Sequence, residues 1–165
     1  MNDYRVGVGD HVPALARTFF ATFSRFEFAL KRGGFAAGEI GKAASANWDK
    51  FAEKLDEGGF LKKIEAAPQA AIFFTRPPKR LTVIVGGEVD FEEMAVAVNA
   101  QQLLEAVRRV RNNLFHGEKT YIDDRDKDLM TAGLFVLDSA FEAAMQTTDC
   151  DRMTIAFAFA PVGRH

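Results

Sequence analysis

Cysteine is almost missing from this chain. Cys150 stands alone among 165 residues, so no disulfide can form within it. A reduced, cytoplasmic setting is the expectation that follows. Long apolar runs are missing too: nothing approaches the roughly eighteen uninterrupted apolar residues of a membrane span. The first residues, MNDYRVGVGDH, carry neither the basic start nor the apolar run of a secretory signal. No charge sign dominates. Lys and Arg number 21, Asp and Glu 23, and the net charge is -2, so bulk attraction to nucleic acid is not expected. Tryptophan occurs once and tyrosine twice, yet phenylalanine occurs 16 times. That is a large apolar load, for the core or for an interface.

Several chemistries lack their residues. The three histidines, His11, His116 and His165, are far apart and sit in no metal-binding spacing. There is no P-loop and no serine elbow. The only GxG, Gly7-Val8-Gly9, has no strand–helix unit around it. Neither a metal nor a cofactor is expected. Cys150 lies between Asp149 and Asp151, a setting that raises a thiol's pKa and makes a poor nucleophile.

What is present is mostly helical spacing. Leu15, Phe19, Phe23, Phe26 and Leu30 predict a helix from about Pro13 to Arg32, ended by Gly33-Gly34. Trp48, Phe51 and Leu55 share a face of a shorter helix that stops at Gly58-Gly59. Another turn or two covers Phe60 to Ala67. A long helix from Asp90 or Val96 to His116 has Leu103, Val107, Val110 and Leu114 on its apolar face. A last helix from about Asp126 to Gln146 repeats Leu129, Gly133, Val136, Ala140 and Ala144. Residues 81–85 are β-branched and read as a strand. TIAFAFAP alternates with a period of two, reads as a second strand, and is a candidate partner for the first. The expectation is one domain over 1–165: an all-α helical bundle with a small two-stranded β appendage. A loose arm (1–12), an irregular Pro-containing connection (68–95) and a C-terminal tail (150–165) complete it.

The densest cluster of cations and amides is at the end of the long helix, from Arg108 to Lys119. On a helical wheel Arg108, Asn112 and His116 form one stripe at four-residue steps. Arg111 falls on the shoulder of the apolar face, where a guanidinium is partly desolvated and needs a carboxylate or phosphate partner. Glu27 occupies the matching shoulder of the first helix. An ion pair between them is expected, and a purely fold-specifying role for it remains open. Arg76, Lys79 and Arg80 around Pro77-Pro78 read most simply as a solvated basic loop. Asp123, Asp124, Asp126 and Asp128 read as a solvated loop leading into a helix start.

Arg111-Asn112-Asn113-Leu114-Phe115-His116-Gly117 resembles the Rx4-6H motif of the HEPN superfamily. The aromatic-plus-acid pattern around Phe23, Phe26 and Glu27 is similar to that of a subset of its members. The resemblance covers about 13–32 and 96–146. It implies an up-and-down helical bundle and a metal-independent endoribonuclease, with a toxin or defence role and an antitoxin protein as a further partner. His116 would then move protons, Arg111 hold the phosphate, Asn112 orient the phosphate or the histidine, and Glu27 support Arg111. Arg108 and Lys119 would contact RNA. One motif supplies one histidine, whereas acid–base cleavage is served by two, so a homodimer is expected. Two other readings stay open: a non-catalytic HEPN dimer that binds a nucleotide, RNA or a partner protein, and a helical module in which the motif only supports folding.

Overall fold

The computed structural model describes residues 13–115 and 121–159. It is mainly helical with small β elements. Helix α1 (Ala14–Arg32) leads to a two-residue hairpin of β1 (Ala36–Ala37) and β2 (Ser45–Ala46). Then come α2 (Trp48–Asp56), α3 (Phe60–Glu65), a 3-10 turn at Pro68–Ala70 and α4 (Ile72–Thr75). Strands β3 (Arg80–Val83) and β4 (Val89–Glu92) form a second hairpin. The chain continues as α5 (Ala100–Phe115), α6 (Asp124–Met145), a 3-10 turn at Thr148–Cys150 and α7 (Asp151–Ala158).

Local chemistry accounts for where these helices start. Asn47 Oδ1 accepts from the Lys50 backbone N–H at 3.0 Å and opens α2. Asn99 Oδ1 accepts from the Gln102 N–H at 2.8 Å and opens α5. Such side-chain acceptors satisfy donors that a helix's first turn leaves orphaned. The long helix therefore begins at Ala100, after its asparagine cap, and not at Asp90 or Val96. Asp123 and Asp126 form a reciprocal capping box at the start of α6. Asp126 is buried there, so part of the acidic run is a folded cap instead of a solvated loop.

The core is built on α1. Phe19, Phe23, Phe26, Ala29 and Leu30 are buried against α2, α5, α6 and α7. Most of the phenylalanine content goes into this interior. Of the phenylalanines whose side chains are described only Phe20 and Phe159 are exposed, which favours the core over an interface as the reason for the Phe abundance.

The C-terminal segment departs from expectation. Residues 151–158 form α7, not a strand, and β3 pairs with β4 instead, Leu81 opposite Phe91. The alternation of Ile155, Phe157 and Phe159 is incidental. Met153, Ala156 and Phe157 are the inward residues, at three- and four-residue steps, while Ile155 and Phe159 are exposed. The Phe157 ring lies 4.9 Å from that of Phe26 and 4.6 Å from that of Phe141. Alanine fits either period, so packing against two rings decides the outcome. Gly86 and Gly87, with φ of 90° and 80°, reverse the chain between β3 and β4, a conformation that favours glycine in tight hairpins.

Helices α1 and α6 meet where Gly133 lacks a side chain. A Cβ there would stand 2.7 Å from Phe19 Cε2, and that ring is fully buried. Gly133→Ala should therefore lower the unfolding free energy by about 1–3 kcal/mol, the usual cost of overpacking. Denaturant titration measures it, and an unchanged midpoint would contradict the tight crossing.

Candidate functional site at the end of helix α5

Helix α5 divides its residues between two environments. Leu103, Leu104, Val107 and Val110 are buried. Glu105, Arg108, Arg109, Asn112 and Asn113 face a cavity of about 340 Å³ whose far wall is Leu81 and Phe91 of the β3–β4 hairpin, with Arg80 at its edge. Leu81 and Phe91 are half-buried cross-strand partners. Two of the expected site residues, Arg108 and Asn112, are thus brought to one place.

The hairpin is tied to the helices through its entry loop. Asn113 Nδ2 donates to the Lys79 carbonyl at 2.8 Å. Arg125 of α6 donates to the Pro77 carbonyl at 2.9 Å. Pro77 and Pro78 are buried. The basic loop is therefore an anchored one, with carbonyls that satisfy the neighbouring helices. Its cations are partly neutralised: Lys79 pairs with Glu93 and Arg80 with Glu92. Within the cavity Arg109 pairs with Glu105 at 2.9 Å. Arg108 has no hydrogen-bond or ion-pair partner among the described residues.

Arg111 lies on a different side of α5. Its guanidinium carbon is 5.8 Å from the centre of the Phe23 ring, within reach of a cation–π contact. Its Nη1 donates to Asn112 Oδ1 at 3.1 Å. Its Nε is buried and has no hydrogen-bond partner among the described residues. Asn112 is thus the link between the motif arginine and the cavity.

The expected Arg111–Glu27 ion pair is not formed. Glu27 Oε1 accepts instead from Trp48 Nε1 at 2.8 Å. Trp48 is buried against Phe23 and Phe26, and a buried indole N–H needs an acceptor. Glu27, one helical turn beyond Phe23, is that acceptor, while Arg111 rests on the Phe23 ring. The signal missed in the sequence was the single tryptophan and its one obligatory donor. His116 and Lys119 lie outside the described residues.

Elsewhere, Cys150 is buried and its thiol is pushed up to about 11, first by burial and then by the Asp149 and Asp151 carboxylates. Among the described residues no group of three or more His, Cys, Asp or Glu is arranged to hold a metal ion.

Two measurements check this geometry. A double-mutant cycle between Glu27→Gln and Trp48→Phe should show a coupling of at least about 0.5 kcal/mol, and a cycle between Glu27→Gln and Arg111→Gln should be additive. With its pKa near 11, Cys150 is a thiolate to about one part in a thousand at pH 8. A thiol reagent should label it far more slowly in the folded chain than in denaturant, and equal rates would contradict its burial. No protein-family model matches the chain, and searches of curated proteins and of solved structures return no match, so the likeness to HEPN proteins rests on the residues themselves.

Proposed function

We propose that the chain is a metal-independent endoribonuclease of the HEPN type, acting as a homodimer. The observation that supports it most is the state of Arg111. A guanidinium beside a core aromatic ring, with a buried Nε that has no hydrogen-bond partner among the described residues and no carboxylate paired with it among them, is available to an incoming anion through its terminal nitrogens. Had Glu27 paired with it, much of the guanidinium's charge would be cancelled. Asn112 holds one of its terminal nitrogens and faces the cavity.

The proposed step needs only these groups and RNA. The ribose 2′-oxygen attacks the adjacent phosphorus while one His116 takes its proton. The bond from phosphorus to the 5′-oxygen breaks, and that oxygen receives a proton from His116 of the second copy. The products are a 2′,3′-cyclic phosphate and a 5′-hydroxyl. Arg111 stabilises the extra negative charge on the phosphorane, where a preorganised donor is worth most. Two histidines in opposite protonation states give a bell-shaped pH–rate profile.

The test is purified chain incubated with RNA in EDTA, with the product ends identified by mass spectrometry. Cyclic phosphate ends are expected. Arg111→Ala and His116→Ala should each lower the rate by a factor of about 10² or more. Cleavage that needs a divalent metal, or that survives both substitutions, overturns the reading. Light scattering that shows a monomer at micromolar concentration overturns the two-copy site. Induced expression should arrest growth, and His116→Ala should relieve the arrest.

A further inference from the structure

We propose that the cavity between the β3–β4 hairpin and α5 is a binding subsite for one nucleoside phosphate unit. The argument comes from which groups are already used and which are left. Arg80 and Arg109 are paired with Glu92 and Glu105. Arg108 is not paired among the described residues. Asn112 has its Oδ1 occupied by Arg111, which leaves its amide N–H groups as donors. Asn113 has its amide nitrogen occupied by the Lys79 carbonyl, which leaves its Oδ1 as an acceptor. The opposite wall is apolar, formed by Leu81 and Phe91, both half-buried.

The unused groups are therefore a cation, a donor, an acceptor and an apolar wall. An unpaired guanidinium suits a phosphate. Adjacent amide donors and acceptors suit the polar edge of a base. An apolar wall with an aromatic ring suits the face of a base. A cavity of about 340 Å³ lies at the small end of the range for small-molecule sites, which matches one nucleotide unit. Its walls are rigidly held, because the hairpin's entry loop is bonded to both α5 and α6. A free nucleotide and one unit of an RNA strand offer the same chemistry. The subsite deepens the ribonuclease reading where the ligand is a strand, since Asn112 joins it to Arg111.

Two probes distinguish the sources: adenosine 5′-monophosphate and a short RNA oligonucleotide, each titrated in EDTA against the full chain carrying His116→Ala. Saturable binding of at least one probe is expected. Arg108→Gln and Phe91→Ala should each weaken it tenfold or more. Arg108 makes no hydrogen bond or ion pair with the described residues, so Arg108→Gln reads binding and not folding, and a thermal melt matching the parent checks this. Binding of the mononucleotide assigns a free nucleotide, and binding of RNA alone assigns a strand. If neither probe binds, or if both substitutions leave binding unchanged, the subsite is overturned. The unsubstituted chain is assayed for cleavage in parallel. Cleavage together with unaltered binding in both variants removes the subsite and leaves the ribonuclease. Binding that depends on Arg108 and Phe91 without any cleavage leaves the subsite and removes the ribonuclease.

Discussion

The ring of Phe23 lies 5.1 Å from that of Trp48 and 5.8 Å from the guanidinium carbon of Arg111. The packing of α1 on α2 and the position of the motif arginine are therefore one constraint. Trp48 is drawn into the core by Phe23, Phe26 and Phe51. Its indole N–H then has to be satisfied, and Glu27 is the acceptor that α1 offers. Among the described residues Arg111 has the face of Phe23 and the Asn112 amide oxygen as its partners, not Glu27.

This arrangement divides the α5 cluster between two surroundings. Arg111 sits over the Phe23 ring and forms no ion pair among the described residues. Arg108, Asn112 and Asn113 open into the cavity under the hairpin. The turn of a helix enforces the division. Residues 108 and 112 lie about 40° apart on the wheel, whereas 111 lies some 100° from 112. Asn112 bridges the two sides because its oxygen reaches Arg111 while its side chain lines the cavity. The hairpin, which covers part of the segment outside the HEPN resemblance, supplies the cavity's apolar wall.

Much of the helical architecture is readable residue by residue. Three- and four-residue spacing locates α1, α2, α5 and α6, because the apolar face of a helix has to meet a core. The spacing does not fix the boundaries, which the caps set: Asn99 opens α5 and Asp123 opens α6, where the spacing suggests Asp90 or Val96 and Asp126. The same logic fails at 151–158, where an Ile/Phe and Ala alternation satisfies two periods at once. There the rings of Phe26 and Phe141 receive Phe157 from a helix. It also fails at 89–92, whose role as the partner of β3 depends on a turn made by Gly86 and Gly87.

For the candidate site, the residue types and their order along α5 are enough to single out Arg108, Arg111 and Asn112, since helical geometry alone fixes which of them share a face. It also places Arg111 at the edge of the apolar stripe, as found. What the order of residues could not settle is the partner of each polar group. The acid at position 27 and the base at 111 look complementary in isolation. Side-chain pairing, however, is decided by which groups packing brings within reach: the buried Trp48 indole meets Glu27, and Arg111 meets the Phe23 ring. Those contacts exist only once α1, α2 and α5 are packed together.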